Sequence, residues 1–293
     1  GKQRLEHAAG RSLRIASIDV GAGSTGIGVA TYGSTATSPI VGALDLSDGM
    51  RIGSDDVVRA IVERHIVPAL AEEQAGCRLA EPRRFLAEIL GGRSKGRPAW
   101  IGGFGRRFAR DLAHPLGLAL VKAHIASAAT ASDVASRYTI GSLLTHAGLA
   151  ALTVAEEFDS LAAEEGADGF ACLSVPISVL QEDLAQSTMS VLDPVLAEAV
   201  RVVEALDSDT LLLSGWVTQV PAVMSRLIAG MATRPGNIVQ LATYRVGDWY
   251  FHRNASGAVG DAKTLAGVGA LLACAEPGSG CAGLEVKSRD PGP

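Results

Sequence analysis

Aromatic residues make up only 4% of this 293-residue chain, and none of its four cysteines stands in a C-x-x-C pair. Cys77, Cys172, Cys274 and Cys281 therefore suggest neither a zinc site nor a disulfide framework, and a reducing cytoplasm is the expected location. The six histidines share no metal-ligand spacing, and no G-x-S-x-G elbow supports a serine hydrolase. A basic excess is missing too. Lys and Arg total 26 against 31 Asp and Glu, a net charge of -5 that argues against a dedicated nucleic-acid binder. No apolar run reaches membrane-spanning length, because Arg, Asp, Gly or Pro interrupts each candidate. The opening Gly1-Lys2-Gln3-Arg4 has neither Met nor an apolar signal core and reads as an internal start.

What is present is a globular composition, with 47% hydrophobic and 19% charged residues, enough for one large core or two modest ones. Leu13 to Val20 reads as a buried strand and Gly26 to Tyr32 as a second, in which Ile27, Val29 and Thr31 alternate. Ile40 to Leu46 closes an antiparallel meander, and Ser54-Asp55-Asp56 caps a helix through Val57, Ile61, Ile66 and Leu70. Pro82, Gly91-Gly92 and the stretch from Gly96 to Gly105 break the next region into short pieces. Helices are expected over Arg106 to Ala126 and Gly148 to Ala163. A strand near Phe170 to Val175 and a long helix from Ser178 towards Leu206 follow. A strand at Leu211 to Leu213, a helix from Pro221 to Met231, a strand from Ile238 to Tyr244 and an apolar helix from Ala262 to Ala275 complete the order. The class is α/β with an excursion in its middle. Its divisions are a linker over 1–12, a core over 13–72 and 169–276, an inserted helical subdomain over 73–168, and a disordered tail over 277–293.

Gly21, Gly23 and Gly26 spell G-x-G-x-x-G, and Asp45 lies near the right distance for a ribose partner. That fingerprint needs a helix directly after it, to hold a pyrophosphate on its N-terminus. Here Gly28, Gly33 and Pro39 with β-branched residues between them forbid one, so the dinucleotide-binding reading fails. A second reading is a β-hairpin whose backbone N–H groups form an anion nest, with Asp19 holding magnesium through water and Ser24 and Thr25 adding hydroxyl contacts. A plain glycine hairpin with Asp19 in a turn fits the same residues, and both readings stand on the motif alone.

The run from Arg14 through Asp19-Val20-Gly21-Ala22-Gly23-Ser24-Thr25-Gly26 resembles the second phosphate motif of actin-like ATPases, Asp-Ile-Gly-Gly-Gly-Thr-Thr-Asp. Leu213-Ser214-Gly215-Trp216-Val217-Thr218-Gln219-Val220-Pro221 is similar to their adenosine motif, a strand, a glycine turn and a helix opened by Pro. The segments Tyr244 to Phe251 and Asp261 to Ala270 resemble two tail motifs of the virulence factor SrfB family, and the order and spacing match over nearly all of residues 12 to 275. The resemblance implies one lobe, the second, of an actin-like or heat-shock-chaperone-like ATPase of ribonuclease H-like fold. It further implies ATP or ADP with magnesium as cofactors and a missing first lobe, or another protein, as partner. It assigns Asp19 to the metal, Gly21, Gly23, Ser24 and Thr25 to phosphate, and Gly215, Trp216 and Gln219 to adenosine, and it leaves the catalytic residues unassigned.

Four departures bear on this. Ala22 replaces the middle glycine, Gly26 the closing aspartate, and Trp216 and Gln219 the two arginines of the SrfB form Gly-Arg-Pro-Ser-Arg-Leu-Pro. Their loss implies weakened or abandoned nucleotide binding. A nucleotide-binding lobe inactive without its partner lobe and a non-catalytic interaction scaffold are therefore both kept. A sugar or acetate kinase shows no substrate motif.

The basic stretch of Arg78, Arg83, Arg84, Arg93, Lys95, Arg97, Arg106, Arg107 and Arg110 reads as a solvated face mixed with Glu81, Glu88 and Asp111 rather than a partner patch. Lys122 lies within reach of an adenine on the helix that follows, but nothing in the sequence requires that contact. Trp249, Tyr250 and Phe251 read as a core cluster in preference to a partner surface.

Overall fold

The structure is a computed structural model and describes residues 12–33, 40–91, 99–128, 136–145, 149–231, 237–248, 250–259 and 284–287. It is mixed α/β. By contacts the chain divides into two compact units, Gly1–Ser54 with Leu192–Pro293, and Asp55–Val191. These divisions fall at different residues from the 72/73 and 168/169 boundaries expected from sequence. Among the described residues no helix is long and apolar enough to cross a membrane.

The first unit is built on a six-stranded sheet in the order β7-β6-β1-β2-β3-β8. Strands β1 (Leu13–Val20), β2 (Thr25–Gly33) and β3 (Ile40–Met50) form the expected antiparallel meander. Strand β6 (Thr210–Ser214) runs parallel to β1, and β7 (Ile238–Gln240) parallel to β6. The alternation in β1 sends Ala16, Ile18 and Val20 into the core and leaves Ser17 and Asp19 exposed. Ile27, Val29, Leu211 and Leu213 are buried likewise. Helices α8 (Gln181–Ala205) and α9 (Pro221–Gly230) pack together, through an Arg226–Asp193 ion pair and through Gly230 close against Val200. Arg14 fastens the far end of the sheet, with Nη1 donating to the Leu206 carbonyl at 2.5 Å and Nε donating to Thr31. Asp45 accepts from the same Thr31 and faces Arg14 at 3.6 Å. It is thus engaged in holding strands together, which gives a second reason against a ribose role.

Two strand expectations need correction here. The strand expected from Ile238 to Tyr244 stops at Gln240, and Leu241–Thr243 turn as a short 3-10 segment. Within the tail expected to be disordered, Leu284–Lys287 form β8, parallel to β3 from Ile40↔Leu284 to Ala43↔Lys287. An edge strand offers unpaired N–H and C=O groups to any extended segment that reaches it, which composition alone does not reveal. The apolar helix expected over Ala262 to Ala275 lies outside the described residues, as do Asp261 and Trp249. Tyr250 is a core residue as expected, whereas Phe251 is 72% exposed.

The second unit is mostly helical. Helix α1 (Ser54–Ile61) continues through a π-helical turn at Val62–Ile66 into α2 (Val67–Gly76), and α3 (Pro82–Leu90) follows. Helix α4 (Ala99–Arg107) continues in the same manner through Phe108–Ala113 into α5 (His114–Ala128). After α6 (Ile140–Leu143) comes α7 (Leu149–Glu164). The apolar run at Phe170 to Val175 is not the expected strand. Phe170 is drawn into an aromatic core, Cys172–Ser174 make a 3-10 turn, and the strand is β5 (Pro176–Val179), paired antiparallel with β4 (Ser136–Thr139). Burial, first, and the Asp159 charge, second, push the Cys172 thiol up to about 12, so it stays protonated and is no nucleophile. The basic stretch behaves as a solvated face: Arg84 bridges Glu81 and Glu88, Arg107 meets Glu157, and Arg110 meets Asp111. Arg93, Lys95 and Arg97 lie outside the described residues, and Lys122 is exposed.

His65 in the first π turn shares a hydrogen bond of 2.8 Å with the buried Ser187 hydroxyl. Burial holds its pKa below the ordinary histidine value, the nearby Asp183 charge pulls it partly back, and Arg64 adds to the fall. The unfolded chain therefore binds the proton more readily than the folded one. The stability this confers is complete above the ordinary value and is lost as pH falls through the lowered one. We expect melting curves between pH 7.5 and pH 5 to show a smaller drop in His65→Gln than in the parent. An equal drop in both would rule out His65 as a source of the acid sensitivity.

Candidate functional site

The sheet fixes the register of the predicted site. Asp19 in β1 stands opposite Ser214 in parallel β6 and opposite Gly26 in β2, and Gly26 stands opposite Gly49 in β3. Ser214, Asp19, Gly26 and Gly49 thus form one row across four strands. The Ser214 hydroxyl donates to Asp19 Oδ1. Asp19 is exposed, with Ile18 and Val20 beside it turned into the core. The row lies at the carboxyl ends of β1 and β6, where open α/β sheets gather ligands because the chain leaves parallel strands there in loops.

After Val20 the chain makes a tight turn, with Gly21 N–H donating to the Ser24 carbonyl at 2.9 Å. Ala22, Gly23 and Ser24 are exposed, and a side chain added at Gly23 or Gly26 would meet nothing within 4 Å. Neither Gly21 nor Gly23 has a positive φ, and open space lies before Gly23. Thr25 is fully buried and its hydroxyl donates to the Ile52 carbonyl at 2.8 Å. Its proton is held inside the fold, which makes Thr25 an anchor of the turn. The segment after β3 completes the clamp. Ser54 N–H donates to the Gly21 carbonyl at 2.8 Å, and a β-carbon at Gly53 would sit 2.7 Å from that same oxygen and closer still to the Ala22 carbonyl. Glycine is required at 53 by this close approach of two backbones.

The second predicted motif leaves β6 at the same edge. Gly215 has φ +94, and a β-carbon there would lie 2.9 Å from the Val20 carbonyl carbon and nearer to its oxygen. The Gly215 turn is thereby pressed onto the last residue of β1. Trp216–Gln219 form a short 3-10 turn with Val217 and Thr218 buried and Trp216 and Gln219 half-buried. The Thr218 hydroxyl donates to the Gly215 carbonyl at 2.7 Å, and Gln240 Nε2 at the end of β7 donates to the Thr218 carbonyl at 2.7 Å. Asp19 and Gly21 are brought to one edge with Gly215, which is far from them in sequence.

Sequence reasoning missed Ser214, Gly53 and Gln240 here. Ser214 closes an apolar run, Leu211-Leu212-Leu213, and only the parallel register shows which carboxylate it meets. Among the described residues no three His, Cys, Asp or Glu side chains gather as a metal group. A single carboxylate with one oxygen already bonded suits a magnesium ion that arrives with phosphate and keeps most of its water, since magnesium is usually held that way.

A family model described as virulence factor SrfB matches residues 1–287. No curated protein matches the chain.

Proposed function

The chain belongs to the SrfB virulence factor family, and on that footing we propose that this sheet edge binds a magnesium-complexed adenine nucleotide, as the second lobe of an actin-like, chaperone-like ATPase. The observation that carries the reading is the parallel pairing of β1 with β6, which sets Asp19 and the Gly21–Ser24 turn beside the Gly215 turn. Asp19 would hold the magnesium through its waters, the backbone at Gly23 and Ser24 would face the phosphates, and Trp216 would lie against the base. Magnesium, when bound, neutralises phosphate charge. Hydrolysis needs groups fixed on both sides of the phosphates, and the resemblance assigns the other side to a different lobe. Binding without turnover is therefore expected from this chain alone.

A scaffold that keeps the fold without nucleotide is the competing reading, favoured by Gly26 standing opposite Asp19 where the motif of actin-like ATPases has an aspartate. Titration calorimetry with Mg·ADP and Mg·ATP separates the two. Our reading expects binding that Asp19→Ala and Gly23→Val remove, the latter because a branched side chain fills the open space before the turn. It also expects a dose-dependent fluorescence change that Trp216→Ala abolishes while weakening binding by roughly 1–3 kcal/mol, the usual worth of base–aromatic stacking. No heat with either nucleotide, together with a loss of stability in Trp216→Ala, would establish the scaffold instead.

A further inference from the structure

We propose that Arg51 is the cationic contact for the phosphates of a metal-complexed polyphosphate at the Gly21–Ser24 turn, an inference that rests on the nucleotide reading above. The chain from 50 to 54 runs alongside the chain from 21 to 25, held at several points. Met50 stands opposite Thr25, the Ile52 carbonyl accepts from the Thr25 hydroxyl, Gly53 packs on the Gly21 and Ala22 carbonyls, and Ser54 N–H donates to Gly21. Arg51 is thereby fixed one residue from each of two contacts with Thr25, the residue that follows the turn. It is exposed, and its side chain makes no ion pair or hydrogen bond among the described residues. Arg14, Arg84, Arg107, Arg226 and Arg253, by contrast, each hold a carboxylate.

The surrounding charge narrows the ligand. Asp19 is exposed on the strand that leads into this edge. A bare phosphate would meet its repulsion. A polyphosphate that carries a divalent cation answers both signs, with the metal towards Asp19 and phosphate oxygens towards the planar, two-pronged Arg51 guanidinium, which matches phosphate geometry. The two arginines absent from the Gly215 turn would then be partly replaced by one on the opposite side of the edge, carried by the chain that follows β3.

The test is titration calorimetry on the full chain with three probes: Mg·ADP, ADP with a chelator, and adenosine with magnesium. The parent should bind Mg·ADP at least tenfold more tightly than either of the others. Arg51→Gln should weaken Mg·ADP about tenfold, the scale of a lost charge-assisted hydrogen bond, and flatten the salt dependence of binding, while Arg51→Lys keeps part of both. Melting temperature should not move in Arg51→Gln, because the side chain is exposed and makes no ion pair or hydrogen bond among the described residues. Parent-like affinity and salt dependence in Arg51→Gln would overturn the role of Arg51 and leave the nucleotide reading standing. Absence of Mg·ADP binding in the parent would overturn the nucleotide reading and this inference with it.

Discussion

Gly215→Ala is expected to destabilise the first unit by at least about 3 kcal/mol, because two independent penalties meet at one atom. The φ of +94 with ψ of 140 lies in a region that residues with a β-carbon avoid, at a strain of order 1–3 kcal/mol. The added β-carbon would also press on the carbonyl of Val20, which is backbone at the end of a strand, paired with Thr25 of β2, and cannot swing aside. For a chain of this size the loss corresponds to a fall in melting temperature of roughly 10 °C. Gly26→Ala is the matched control. It adds the same methyl group to the same site, but meets nothing within 4 Å, and should melt within about 2 °C of the parent, as unstrained surface changes do. Equal melting of the two variants would mean that the contact between the Gly215 turn and β1 is not what the geometry indicates. On the nucleotide reading proposed above, a Gly215→Ala protein that still folds should also lose Mg·ADP binding, since the Gly215 turn would be pushed off β1.

The second large effect concerns the helical unit. Five of the six phenylalanines, Phe85, Phe104, Phe108, Phe158 and Phe170, pack together there. Phe158 is the hub, fully buried, with ring centroids 5.8 Å from Phe85, 6.4 Å from Phe104, 4.8 Å from Phe108 and 5.6 Å from Phe170. Phe158→Ala should cost about 3–5 kcal/mol, the transfer free energy of the ring plus the cavity left among rings that cannot all move inward. Phe158→Leu keeps most of the volume and should cost distinctly less. Urea titration followed at the helical signal would read this as a lower midpoint. A loss below about 1 kcal/mol for Phe158→Ala would contradict the hub assignment, since such a value belongs to a site that collapses freely.

Both experiments probe features of unequal legibility. The meander was readable because alternation in Leu13–Val20 and Thr25–Gly33 is a local signal, as was the helical spacing of Val57, Ile61, Ile66 and Leu70. The run from Phe170 to Val175 misled, because an apolar stretch is equally suited to a strand or to supplying Phe170 and Cys172 to a core, and the aromatic cluster took it. Thr25 has a partner that the local pattern does not show. Its hydroxyl is chemically able to meet phosphate, but the β2–β3 pairing places Ile52 in front of it, and a buried donor must be satisfied inside the fold.

By itself the sequence determined the α/β class, the meander, most helix positions and the two glycine turns, since each depends on propensity and spacing within about 15 residues. It also carried the SrfB likeness, spread along the chain in order. Only the tertiary structure decided that Ser214 meets Asp19 across 195 residues, that Gly53 and Gly215 must lack side chains, that Arg51 runs beside the glycine turn, and that Leu284–Lys287 extends the sheet. Those choices rest on strand register and on backbones meeting from distant parts of the chain. A parallel pair has no connecting hairpin to set its register, so the choice belongs to the packing of the whole core and leaves no mark in the local pattern of residues.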